Sequence, residues 1–361
     1  MRILTAILLL TGSHCLIAAP LAQPDVSFQH EVQHAIDQGL SWLQTHQNTN
    51  GSWSSTDHPA VTALALRAFM GDPTETFQKQ PTDTIKRAYQ LILSDAKPDG
   101  SIYNKGLENY NTSICLMALL AAHNPDYDLP ARQARHWLLT QQLDSGGVGY
   151  GDHGKIPDMH NTFIALEALY YSKRLDQDKK SADAKDLNWP AALKFIQSCQ
   201  NPPSADKKNK GGFIYAPNDS KAGTQTNASG QIAFRSYGSI SEAGLLSYIY
   251  ADLKHDDPRV IAAFDWLRDN YTISENPAMG QQGYYYYLHL MAKALNTYGV
   301  EQLELKNGTK INWRHDLALK LINLQKADGS WTNDAGRWFE KDPALVTAYS
   351  VMSLEMVYRG L

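Results

Sequence analysis

His30 and His34 stand four residues apart with Glu31 between them. That spacing lets two imidazoles reach one zinc ion from a single helical turn while the carboxylate acts as a base. On a helix of about 100 degrees per residue, however, Val32, Ile36, Gly39 and Leu43 share one apolar stripe, and the two histidines fall roughly 160 and 200 degrees from its origin. They are expected to face outward, no third ligand follows, and no metal is assigned.

Better candidates come from comparing the chain with itself. HPAVTALALRAF (58–69), ENYNTSICLMAL (108–119) and DMHNTFIALEAL (158–169) align on Thr62, Thr112 and Thr162. Looser copies (236–248, 284–295 and 343–354) align on Ser241, Leu288 and Thr347. Four residues before these six points stand His58, Glu108, Asp158, Tyr237, Tyr284 and Pro343, with Asp57, Asn109, Asn111, His160, Asn161, Arg235 and Asp342 close by. Asp and Asn ahead of an apolar helix are ordinary N-caps, which accounts for Asn111, Asn161 and Asp342. Capping accounts poorly for His58, His160, Arg235 and Tyr237. Carboxylate, imidazole and phenol groups in different surroundings have separated pKa values, so one pocket can supply both acid and base. Asp158, His160 and Tyr237 are therefore catalytic candidates, and His58, Glu108, Arg235 and Tyr284 candidate ligand contacts.

Within the six segments, positions four, six and seven beyond the alignment point stay mostly small or apolar. Positions one and five beyond it vary sharply: Ala63, Ser113, Phe163, Glu242, His289 and Ala348, then Arg67, Met117, Glu167, Leu246, Lys293 and Met352. These share the opposite helix face, so they are placed to line a cavity. Buried charge is costly unless paired. Glu242 and His289, at equivalent points of adjacent repeats, are positioned as an acid–base pair. In GQQGYYYYLH, Tyr284 to Tyr287 spread around a helix axis, so at least one phenol must face inward; Tyr284, Tyr285 and Tyr286 join the candidate ligand contacts.

The elements that must position these groups are helices. Each segment is preceded by another stretch of helical periodicity ending in a turn, from AIDQGLSWLQTHQNTNGSW (35–53) to ALKLINLQKADGSW (318–331). A lone helix pair cannot bury both apolar faces, whereas six pairs in sequence close into a double ring. The expectation is an all-α single domain over 23–361. Residues 62–70, 112–122, 162–172, 241–251, 288–297 and 347–357 lie inside. The six loops into the inner helices then meet at one end, where helix N-termini favour anionic groups. A polar, glycine-rich insertion at 201–238 leads into Arg235 and Tyr237, and reads as a lid over that end.

The turns QNTNGSW (47–53) and QKADGSW (325–331) resemble the Gln-Trp repeat of squalene–hopene cyclases and their relatives, among them the protein prenyltransferase β-subunits. The resemblance covers about residues 30–358 and implies an α/α toroid. Other turns have lost the Trp or the Gln, although Tyr103 and Tyr150 keep an aromatic. The superfamily's catalytic signatures are missing. No Asp-x-Asp-Asp acid motif occurs, and His255-Asp256-Asp257 falls at the end of a helix. Cys115 follows Ser113 and Ile114, so the Asp-x-Cys zinc ligands are absent, as is the Gly-Cys-Gly-Glu-Gln thioester.

The opening MRILTAILLLTGSHCLIAAPLAQ has the short apolar core and small residues of a signal peptide over 1–22, so the protein is expected to be exported. No later stretch nears the roughly 18 apolar residues of a membrane span. Net charge is −4, which gives no attraction to nucleic acid. Cys115 and Cys199 lie in different helical segments, and a domain this large needs no bridge. No cofactor is expected. Three readings follow: a cyclase-like enzyme on an apolar isoprenoid-type ligand, a glycan-active lyase-type enzyme using Tyr, His, Asn and Arg, and a non-catalytic scaffold holding a small or extended ligand in its cavity. A cavity lined mainly by aromatics favours the first.

Overall fold

The computed structural model describes residues 25–151, 156–176, 186–226, 230 and 232–361, so the leader expected at 1–22 lies outside the described residues. In chain order the helices are α1 (Val26–Thr45), α2 (Pro59–Gly71), the single-turn α3 (Thr76–Lys79), α4 (Asp83–Ser94), α5 (Glu108–Ala121), α6 (Asp128–Leu139) and α7 (Met159–Ser172). They continue as α8 (Trp189–Ser198), α9 (Gly238–Tyr250), α10 (Pro258–Asp269), α11 (Tyr284–Tyr298), α12 (Trp313–Leu324) and α13 (Pro343–Tyr358). Two short antiparallel ribbons lie in connections: β1 (Thr224–Thr226) with β2 (Ile232–Phe234), and β3 (Leu303–Glu304) with β4 (Lys310–Ile311).

Two series of helices alternate. Those of the first bury one stripe, as α4 does with Ile85, Ala88, Tyr89 and Ile92. Its members α1, α4, α6, α8, α10 and α12 are mostly started by a capping side chain, such as Asp25, Thr82 or Asn188. Asp257, read from the sequence as ending a helix, instead caps α10. The second series is buried nearly all round, and such helices need neighbours on every side. Here α2 packs on α5, α5 on α7, α7 on α9, α9 on α11, α11 on α13, and α13 on α2. Cys115 on α5 and Cys199 after α8 are buried as free thiols.

The second-series helices start about one turn ahead of the spans expected from the apolar pattern. The reason lies in the alignment residues. Thr62, Thr112, Thr162, Ser241 and Thr347 sit inside the helices and accept the backbone N–H of Trp53, Ile102, Val148, Phe213 and Trp331 in the preceding turns, at 2.9–3.2 Å. A buried N–H needs an acceptor, so a hydroxyl recurs where packing alone would accept valine. These bonds also correct the turn alignment. Ile102 and Val148, rather than Tyr103 and Tyr150, occupy the places of Trp53 and Trp331. Both of those indoles are fully buried and donate to Leu43 O and Leu321 O at 2.8 Å.

Turn glutamines tie four of the first-series helices to the next. Gln47 donates to Thr84 O of α4, Gln142 to Asn188 O ahead of α8, and Gln200 to Arg259 O of α10. Gln325 donates to Ala35 O of α1. Gly329, at φ 91°, lets its turn press on α1, where an added Cβ would stand 2.5 Å from Gln38 O. Thr347→Val is expected to cost about 1–3 kcal/mol in urea unfolding, the penalty of an orphaned buried N–H. A loss below about 0.5 kcal/mol, the level of ordinary surface changes, would show that the Trp331 amide finds another partner.

Candidate functional site

At the N-terminal end of the second series lies a cleft of about 1140 Å³, including its open mouth. Its wall is mostly rings: Tyr110, Tyr150, Tyr215, Tyr237, Tyr286 and Tyr349, with Trp338 and Phe339 near the mouth. His58, His160, Ser239 and Asp342 add polar edges. No Lys or Arg is found among the described lining residues. Trp338 and Phe339 are partly exposed and have φ of 57° and 65°, a left-handed backbone that is costly for aromatic residues.

Beneath the cleft is a smaller chamber of about 300 Å³, its open space included. Tyr110, His160, Tyr286 and Tyr349 line both spaces and form a collar between them. Tyr110 stacks on His160 at 5.7 Å, His160 meets the edge of Tyr286 at 5.4 Å, and Tyr286 leans on Tyr349 at 5.6 Å. Tyr286 also joins His160 Nδ1 through its hydroxyl at 2.9 Å. Burial lowers the His160 pKa to about 4, so near neutrality the ring is uncharged. Charge gathers in the lower chamber. Lys293 donates to Glu167 at 2.7 Å, Arg67 approaches the same carboxylate at 3.9 Å, and His289 stands beside them.

The N-terminal end differs from a ready anion site. Asn111 of α5 accepts the N–H of Ala60 in α2, Asp158 accepts from Asn161, and Asn276 accepts from Ser239. Glu340 accepts from Tyr286, and Asp342 from Ala344. Five of the six inner helix N-termini expected to attract a ligand's anion therefore already hold side chains. Asp158 is one of these caps. It also accepts from Asn161 Nδ2 at 2.8 Å and stands near Tyr215, whose hydroxyl meets Tyr150 at 3.2 Å. Burial raises the Asp158 carboxyl above its ordinary range against these bonds, and pushes the Tyr237 phenol well up.

The sequence-derived candidates divide. His58, His160, Tyr237 and Tyr286 line the cleft, and His289 lines the lower chamber. Asp158 stands behind Tyr215. Glu108, Arg235, Tyr284, Tyr285 and Glu242 line neither space. Glu108 is buried against Gly151, while Arg235 follows β2 away from the wall. Tyr284 and Tyr287 spend their hydroxyls on the carbonyls of Ile273 and Thr272. Glu242 is fully buried with Oε2 unpartnered and has no hydrogen bond to His289, so the expected acid–base pair is not formed. His30 and His34 are exposed on α1, opposite buried Val32, Ile36, Gly39 and Leu43.

Arg67, Glu167 and Lys293, expected from the sequence to line a cavity, border the lower chamber, whereas Tyr110, Tyr215 and Tyr349 were not among the candidates. Relative to the alignment points, Tyr110, His160 and Tyr286 lie two before. Tyr349 lies two after, and Arg67, Glu167 and Lys293 lie five after. Steps of four and three make a single helix stripe, so these positions together mark the face that borders the cavities.

The chain resembles known terpenoid cyclases, as the Gln-Trp turns implied. No established family profile matches it. Among curated proteins, the α-onocerin synthase LCD of Lycopodium clavatum is 28% identical over 147 residues, covering 34% of this chain and 19% of that protein. The terpentedienyl-diphosphate synthase of Kitasatospora griseola is 36% identical over 84 residues, covering 22% of this chain and 16% of that protein. The matches thus span less than a fifth of either relative. Among solved structures, the type II terpene cyclase MstE from Scytonema, bound to geranylgeranyl dihydroxybenzoate, matches with a TM-score of 0.60 at 13% identity. That match covers 93% of this chain and all of the other. An α-1,6-mannanase of Salegentibacter in complex with α-1,6-mannotriose matches at 0.59 and 11% identity over 91% of this chain and all of that one. At such identities the likeness is one of fold: a helical toroid.

Proposed function

We propose that the chain is a terpenoid-cyclase-like toroid of six helix pairs in a closed double ring, and that its cleft holds an apolar polyene chain for proton-initiated cyclisation. The observation that carries this reading is the wall of aromatic faces, with no Lys or Arg among its described lining residues. Ring faces attract a travelling carbocation. The proton comes from the Asp158 carboxyl, which burial favours in its protonated form, and passes through the Tyr215 hydroxyl to a terminal alkene carbon. The cation moves along the chain as new carbon–carbon bonds form. Loss of a proton from a neighbouring carbon then returns one to the carboxylate, so the net change is an isomerisation. The apolar stretch read as a signal peptide at 1–22 would carry this activity outside the cytoplasm.

The experiment is incubation of purified protein with geranylgeraniol and with squalene, following quenching of tryptophan emission for binding and mass-resolved gas chromatography for products. Saturable binding with a cyclised isomer is expected. Binding without conversion would leave a scaffold and overturn the catalytic reading. Preference for mannotriose over both polyenes would overturn the reading altogether.

A further inference from the structure

The lower chamber carries an unusual charge balance. Arg67 of α2 and Lys293 of α11 both face the one carboxylate of Glu167 from α7. Burial alone would raise that carboxyl, yet Lys293 and Arg67 hold it below its ordinary value, so it stays an anion. His289 does not add to the positive charge, because burial and the neighbouring cations push its pKa well down. Glu355, which also feels Arg67, does not offset it, since burial raises its carboxyl well above the usual range. Two basic side chains thus face one carboxylate in a space whose remaining wall includes Leu64, Ile114, Phe163 and Leu290. Lys293 spends one of its three N–H donors on Glu167. Among the described residues Arg67 has no hydrogen-bond partner, only the 3.9 Å approach to Glu167. Unused donors and excess positive charge facing a cavity form a site for an anionic group.

Resting on the polyene reading of the cleft, we propose that the lower chamber receives the carboxylate end of the bound chain, so that the ligand is a polyprenyl carboxylic acid. The carboxylate accepts from Arg67 and from the free donors of Lys293, which balances the cluster at two cations and two anions. The chain rises through the collar of Tyr110, His160, Tyr286 and Tyr349 into the aromatic cleft, with its far alkene toward Tyr215. Arriving negative charge also favours the protonated form of Lys293, which burial otherwise disfavours.

The test compares geranylgeranoic acid, its methyl ester and geranylgeraniol as ligands of the full chain, in chloride and in gluconate buffers. The acid is expected to bind at least about tenfold more tightly than the other two, the equivalent of roughly 1.4 kcal/mol. Arg67→Met, which leaves the Glu167–Lys293 pair intact, is expected to abolish that preference while keeping the alcohol's affinity. Equal affinity for acid, ester and alcohol would overturn the carboxylate site while leaving the polyene cleft standing; failure of all three to bind would overturn the cleft reading itself. Loss of the acid preference in chloride but not in gluconate would assign the site to a free inorganic anion, against the proposal. Should Arg67→Met fail to fold, the comparison of the three ligands on the unaltered protein still decides.

Discussion

Asp158→Asn is expected to lower polyene turnover by about 10²–10⁴-fold, the usual contribution of a positioned proton donor, with the fold intact. The substitution separates two roles that this residue combines. As the cap of α7, Asp158 accepts from the Asn161 backbone at 2.8 Å, and asparagine caps as well as aspartate does. As a proton donor, an amide is useless. Thermal unfolding should therefore move little while turnover collapses, and ligand affinity should hold because Asp158 stands behind Tyr215. Tyr215→Phe, which removes the relay but not the carboxyl, is expected to lose turnover in the same direction. Full activity in Asp158→Asn would move the acid elsewhere, and unfolding of that variant would show that the buried carboxyl is structural.

Relative to the unaltered protein, Glu242→Gln is expected to gain stability by about 5 kcal/mol as pH rises from about 4.5 to about 8. Burial raises the Glu242 carboxyl from its ordinary 4.5 to about 8. Across that window the folded protein keeps a proton that the unfolded chain has released. The contribution is complete below about 4.5 and lost as pH climbs through about 8, at about 1.4 kcal/mol for each pH unit. His160 acts with the opposite sign. Its folded pKa of about 4 lies below the ordinary 6.5, so its contribution is present above 6.5 and lost as pH falls toward 4. The two slopes oppose each other between 4.5 and 6.5, which is why the variant must be compared with the parent at every pH by urea unfolding. Parallel stability curves for the two proteins would mean that Glu242 is solvated or paired in solution.

The helices were legible because their periodicity repeats, and repetition averages out local exceptions. The hydroxyl at five of the six alignment points was visible as a pattern, but not its role, since the N–H it accepts lies 9 to 28 residues earlier. The site was legible only in part. Comparing positions four before the alignment points found the helix starts, and therefore many caps, with Asp158 among them. Comparing positions five after found Arg67, Glu167 and Lys293 as outliers. The step between these levels, two before and two after, holds Tyr110, His160, Tyr286 and Tyr349, and it needed the helix stripe to be followed through a full two turns. Tyr215 had no such signal. It arrives from the insertion at 201–238, outside the repeat frame, and only packing brings it to Asp158.

The Gln325 contact with Ala35 joins residues 290 apart in sequence. A chain whose first and last repeats must meet carries a kinetic burden. Loop closure over that separation is entropically slow, and contacts of such range delay folding. Until α12 and α13 have formed, the faces of α1 and α2 that pack on α13 have nothing to cover them. During synthesis, then, the early helices wait for the late ones. A nascent chain stopped before Trp313 would present those apolar faces to solvent and to other chains. Assembly of the whole is thus gated by its final two helices rather than nucleated steadily along the array, as it would be in an open stack of repeats.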